Sequence, residues 1–463
     1  MNWNNILSTN RLRESTREKR ITDQRNEFES DFGRILFSPA IRRMHDKTQV
    51  FPLTTDDNIH TRLTHSLEVQ SVGYSIGLNI CNNSEFQQRL SIDKEILLRS
   101  IPLILSNVSL CHDIGNPPFG HFGEKIISNY FEDYFQSCKA PKLTENQRKD
   151  FINYDGNAQG FRVLTKLQVL QDNYGLNLTI GTLTAYLKYP NLSDEISNIG
   201  YYKKIGVFQS EKDHLLKIRE ISGLDKIRNP LAFLMEAADS ICYYVMDIED
   251  SFNKKYYNFE FIKSKFKKYG DQCMEDLFER FDVIFERYLN NVDDENKSIN
   301  LEVTRIVKFR IFLIQELVNI ACTNFLENID KIEKGEYHNE LIFDGEKCLA
   351  ETLDKFTNEF IFTKREIQSL ELTGESVLTG LLDLFIDDII NYNKNKYTKK
   401  RAEKLMGLIS GSLKVSALIE SKETDIFKID NYYKLRLIVD FISGMTDKFA
   451  LSLYQKLSGI KIV

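Results

Sequence analysis

The chain of 463 residues holds only seven cysteines, scattered so that no Cys-x-x-Cys pair occurs. That excludes a thiolate metal site of ordinary spacing and gives no basis for a disulfide framework, so a reducing interior suits it. Prolines number 8 and there is a single tryptophan. Alternating apolar runs are few, whereas apolar residues recur at i, i+3 and i+4, and the chain reads as all-α. No apolar run reaches the length of a membrane span. The first 25 residues are polar and charged without an apolar signal segment, so a soluble cytoplasmic protein with no membrane partner is expected. Charge of neither sign dominates: 61 basic against 67 acidic residues leave −6. Nothing in that balance demands nucleic acid. Basic clusters at 261–268 and 394–404 could touch an anion, single-stranded nucleic acid included, although such runs are commonly solvated helix faces. No internal repeat or low-complexity linker divides the chain, and its length allows a large core.

What the chain does have is a crowded stretch from Arg34 to Glu124, where five of its seven histidines lie: His45, His60, His65, His112 and His121. His65 opens HSLEVQSVGYSIGLNIC, whose Val69, Val72, Ile76 and Ile80 recur at helical spacing, so it projects from the first turn of a buried helix. The adjacent pair His112 and Asp113 closes another helix. Residues 101–110 are apolar enough to be buried on most sides, Pro102 is tolerable in a first turn, and Gly-Asn-Pro-Pro is a stop signal. A His, then His-Asp after a helix-sized interval, then an isolated Asp at Asp239 on a third helix makes an ordered ligand set. Imidazole and carboxylate together suit Mn, Fe, Co or Zn, and the carboxylates also admit Mg.

The helix carrying Asp239 is expected over 230–250, with Pro230 at its first position. Leu231, Leu234, Ala238, Ile241, Val245 and Ile248 form its apolar seam, and helical phase aligns Asp239, Tyr243 and Asp247 one turn apart on another face. Two further pairings carry chemistry. Arg62, three residues before His65, offers planar donors that match phosphate oxygens, its plain alternative being a salt bridge to Asp56 or Asp57. His121 and Glu124 share one side at the start of an amphipathic helix, where a histidine can deliver a proton and a carboxylate can hold its tautomer.

The phrases SPAIRR with KTQVFPL, TRLTHSLEV, HDIGNPPFGHFGE, DGNAQGFR, LMEAADSI with DIED, and DFISGMTDKFAL resemble, in the same order, those of HD-domain phosphohydrolases of the deoxyguanosine triphosphate triphosphohydrolase (dGTPase) branch. The resemblance covers roughly residues 28–455 and is looser over 255–430. It implies an HD-domain helical core over 29–255, preceded by a polar segment 1–28. A helical region 256–463 would pack on that core and at subunit contacts. It implies a divalent metal on His65, His112, Asp113 and Asp239, with His121 and Glu124 as the catalytic pair. Gln49 would contact the deoxyribose, Arg62 and Lys188 the phosphates, Asn157 and Tyr243 the pocket, and Asp247 the 3′-hydroxyl. Ser240 departs from the second acidic residue frequent in relatives at that place.

The implied reaction is attack of metal-bound water on the α-phosphate of a dNTP, dGTP favoured, releasing the deoxynucleoside and triphosphate. A homo-oligomer, a hexamer built from dimers, is the implied assembly. Two other readings stay open at this point. One is an HD-type phosphodiesterase acting on cyclic or alarmone nucleotides, and the other a non-catalytic binder of nucleotides or single-stranded nucleic acid.

Overall fold

The computed structural model describes residues 1–13, 22–49, 53, 59–168, 174–290, 301–392 and 394–460. Asp56 and Asp57, the plain partners considered for Arg62, lie outside them, as do Val50, Phe51 and Pro52 of the KTQVFPL phrase. Among the described residues there is no strand, only the isolated bridges Arg11↔Thr179 and Thr48↔Thr61. The all-α expectation is met. Nine helices position the site: α1 (Arg62–Asn82), α2 (Ile101–Cys111), α3 (Gly120–Gln136), α4 (Gly156–Arg162), α5 (Pro230–Asn253), α6 (Leu301–Glu327), α7 (Arg365–Ile390), α8 (Asn431–Ser443) and α9 (Asp447–Leu457).

Local sequence accounts for these ends. Thr61 caps α1 and is answered by the Thr64 hydroxyl, so the chain is already helical at Arg62 and His65 falls in the first turn. Pro102 sits in the first turn of α2, and Asn229 caps α5 ahead of Pro230. All six residues of the expected α5 seam are buried. Each Leu, Ile and Val among them contributes about 1.5–3 kcal/mol when fully buried. Two glycines one turn apart let α1 lie close on α2. A Cβ on Gly73 would stand 2.5 Å from Ser109 Oγ, and one on Gly77 2.7 Å from Pro102 Cα. Close approach here is what brings His65 to the end of α2.

Apolar packing divides the molecule differently from chain order. One core joins α1, α2, α5 and α6 with side chains as far as Ile367, so the segments 259–290 and 301–361 belong with it. A second core gathers Phe119, Ile126, Ile127 and Phe131 of the α3 region, Phe151, Phe208, and residues of α7, α8 and α9. Residues 29–255 are thus shared between the two cores. The second core rests on a buried ion network. Arg162 of α4, 1 % exposed at its side chain, pairs with Asp440 of α8 at 2.8 Å, Glu211 at 2.5 Å and Glu420 at 2.8 Å. Arg436 lies 3.8 Å above the Phe208 ring and donates to Gln159. No helix of the described residues is long and apolar enough to cross a membrane.

Candidate active site

α1, α2 and α5 converge on four side chains. His65 Nε2 lies 3.1 Å, and His112 Nε2 3.3 Å, from the same Asp239 oxygen. His112 Nε2 is 3.6 Å from Asp113 Oδ1, and the two imidazoles meet edge to face at 5.3 Å. His65, His112 and Asp113 each offer an atom within 4.8 Å of the others. The donor set fits a divalent cation by a second observation. His112 donates from Nδ1 to the Ser109 carbonyl at 2.7 Å, which leaves its buried Nε2 without a hydrogen-bond partner and turned to the carboxylates. Burial alone would lower the His112 pKa, but Asp113 and Asp239 outweigh it and lift it to about 9. Burial would likewise raise Asp113, but Arg62 and His112 hold it down at about 2. His112 and His65 hold Asp239 well below the usual carboxylate range against its burial. Charge of both signs is therefore packed at the meeting point of the three helices.

This cluster opens on a cleft of about 550 Å³ lined by Gln49, Arg62, His112, Asp113, His121, Asn157, Lys188, Asp239 and Tyr243. Of the twelve residues expected from sequence, nine thus line one cavity. His65 lies behind Asp239, and Glu124 behind His121. Asp247 is the exception. It is 2 % exposed, has a buried oxygen without partner, and lies outside the lining, where burial and Asp250 push its carboxyl well above the usual range. Alignment along α5 runs away from the cleft: two turns beyond Asp239 is about 12 Å up the axis.

The remaining polar residues are set by identifiable partners. The Arg62 guanidinium binds Asp113 and occupies the space a Cβ on Gly120 would need. Lys188 Nζ is 3.1 Å from Glu236, which Arg228 also holds at 2.7 Å. Asn157 donates to Asp155 at 2.8 Å, Tyr243 stacks near Phe362, and Gln49 Oε1 is buried without a partner. His121 Nδ1 lies 3.1 Å from Glu124 Oε2, while the other Glu124 oxygen accepts the Gly156 N–H at 2.9 Å. Glu124 raises the His121 pKa above its ordinary value. Glu124 itself is buried, and His121 beside it holds its carboxyl low.

Sequence reasoning missed several lining residues. Lys204, 3.2 Å from Asp155, and Lys125 add cations. Ser240, read as a loss of acidity, donates its hydroxyl to Glu340, a carboxylate delivered to the same spot from a hundred residues away. No local pattern around Lys204 or Glu340 announces this. Only the acidic neighbour missing at position 240 could have prompted a search for a substitute.

Comparison with known proteins agrees with this geometry. Residues 346–456 match the family model described as "Phosphohydrolase-associated domain". A Listeria monocytogenes protein named deoxyguanosinetriphosphate triphosphohydrolase-like is 34% identical, covering 99% of this chain and 100% of the relative. A Synechocystis protein of the same name is 32% identical over 100% of both. A deoxyguanosinetriphosphate triphosphohydrolase of Salmonella paratyphi A is 30% identical over 94% of both. With identity of this degree running end to end, and the His–His–Asp cluster in place between three helices, the chain belongs to the HD-domain deoxyguanosinetriphosphate triphosphohydrolase family.

Proposed function

We propose that the protein hydrolyses deoxynucleoside triphosphates, dGTP foremost, to deoxynucleoside and triphosphate. The observation that carries this reading is the placement of the His121/Glu124 pair on the same cleft as His65, His112, Asp113 and Asp239. A divalent metal of the Mn, Fe, Co, Zn or Mg group, held by those four, would supply Lewis acidity at a phosphate and lower the pKa of water. The chain's own groups do the rest. Arg62, Lys188, Lys204 and Lys125 give the cleft positive charge for a triphosphate, and burial strengthens the contacts that Arg62 and Lys188 make. Gln49, with its unpaired oxygen, accepts from a sugar hydroxyl, and Asn157 and Tyr243 bound the same pocket.

His121 has the task that decides which bond breaks. A 5′-alkoxide is a poor leaving group and needs a proton, and a histidine whose pKa Glu124 raises keeps its proton to higher pH than a free imidazole would. Protonation there makes the nucleoside the leaving group, so the three phosphates depart as one unit. Product analysis across the four dNTPs tests the reading. In ¹⁸O-labelled water the label should appear in triphosphate, with the deoxynucleoside unlabelled. His121→Ala should lose about 10²- to 10⁴-fold in kcat while still binding dNTP. Release of dGMP with pyrophosphate, dGDP with phosphate, or label in the nucleoside would overturn it. Turnover of cyclic or alarmone nucleotides with dNTPs untouched would also do so.

A further inference from the structure

The turn that joins the two halves of the site is held by a residue far away in sequence. Between α2 and α3 the chain runs from His112 and Asp113 to His121, and its last residue, Phe119, has φ +64°, a left-handed conformation unusual for a side chain of that size. α3 begins there with no side-chain cap of its own. The Phe119 N–H instead donates to Asp447 Oδ1 at 3.0 Å. The other oxygen of the same carboxylate accepts the Thr48 N–H at 3.0 Å and the Thr48 hydroxyl at 2.6 Å.

Thr48 precedes Gln49 of the cleft and bridges to Thr61, and Lys47 beside it accepts the Arg62 N–H at 2.8 Å. Lys47 Nζ in turn reaches the Asn116 carbonyl at 2.5 Å and the Ser443 carbonyl at 2.8 Å. Three segments that lead into the cleft (Lys47–Gln49, Thr61–Arg62 and Asn116–Phe119) are therefore tied together and to the start of α9.

Asp447 is 2 % exposed, and although the buried Lys47 ammonium is near enough to feel its charge, no cation pairs with it directly among the described residues. A carboxylate is costly to bury without a counter-charge, and each of its three donors comes from a segment that carries a cleft residue. Helix α9 does not need the carboxylate for its own cap, since Thr446 supplies that.

We propose that Asp447 is a positioning residue for turnover: by holding Phe119 and Thr48 together it sets His121 and Gln49 against the His65, His112, Asp113 and Asp239 cluster. The inference rests on the functional reading above, and it gives the phosphohydrolase-associated region a specific task in the chemistry. Asp447→Asn is the discriminating variant, because the carboxamide keeps the shape but offers only one acceptor oxygen for two opposed sets of donors. Its kcat on dNTPs should fall about 10- to 100-fold, as for other groups that orient a site indirectly, with metal content and melting temperature kept. Thr48→Val removes only the hydroxyl and should act on KM, raising it about 3- to 10-fold, with Thr48→Ser restoring it. Wild-type kcat in Asp447→Asn, or a loss that merely tracks lost metal or lost fold, would overturn the proposal. Hydrogen exchange over residues 116–122 separates this from the functional reading. If the wild type is inert on every dNTP, that reading fails. Faster exchange there in Asp447→Asn, with α1 unchanged, still sustains the clasp, and unchanged exchange removes it.

Discussion

The two cores solve different problems. The first, around α1, α2 and α5, buries aliphatic seams so tightly that Gly73 and Gly77 leave no room for a methyl group, and it presents His65, His112, Asp113 and Asp239 from helix starts, ends and faces fixed by that packing. The second, around α3, α7 and α8, encloses Arg162 with three carboxylates and presents His121 and Glu124. A metal-type cluster needs ligands that hold their geometry to a fraction of an ångström, and dense apolar packing provides it. The proton-donor role proposed for His121 needs a reachable side chain, and His121, on the rim of the second core, is exposed. Splitting the two tasks between cores leaves the distance across the cleft as the quantity the fold has to control.

Variants in each core should therefore fail in opposite ways. Asp239→Ala should abolish turnover and strip the metal, read by elemental analysis, yet keep the helical circular dichroism because the α5 seam is intact. Full activity with full metal content would show that the first core does not hold the cation. Arg162→Ala should do the reverse, leaving metal content near wild type but costing about 3–5 kcal/mol of stability, since Asp440, Glu211 and Glu420 lose their shared counter-charge. Denaturant titration measures that loss. The smallest effect is a displacement along the pH axis. Glu124 raises the His121 pKa, and the acid acts only while protonated, so activity falls as pH rises through that value. Glu124→Gln should move this alkaline limb to lower pH, and an unmoved limb would detach the pair from the chemistry.

Much of the first core was legible because its signals are local. The stop after His112, the proline at the head of α5 and the spacing of Val69, Val72, Ile76 and Ile80 each fix an end or a face within one segment. The His121/Glu124 pair was readable for the same reason, three residues apart at a helix start. What escaped is what depends on long-range placement. Glu340 reaches Ser240, Asp447 reaches Phe119 and Asp440 reaches Arg162 across 100 to 328 residues, and although Asp440 and Asp447 both stand in the phrase DFISGMTDKFAL, nothing in it names their distant partners. Asp247 shows the converse: its helical phase with Asp239 and Tyr243 is as expected, its contact with a 3′-hydroxyl was implied by the resemblance alone, and its side chain does not line the cleft. The boundary expected at 255 followed the resemblance in chain order, whereas the packing assigns 259–290 and 301–361 to one core and shares out the described residues before them.

Phe119 carries one more consequence. A residue with a Cβ at φ +64° gives up about 1–2 kcal/mol that glycine would not. Yet this position keeps an aromatic ring, buried in the second core so close to Gly374 that a Cβ there would come within 2.8 Å of it. First turns of helices fray, and His121 is the second residue of α3. With the ring wedged on one side and its N–H held on the other, the point from which α3 winds is fixed in both place and direction. Fraying at that end is suppressed, and the imidazole it would have carried off is kept at the cleft.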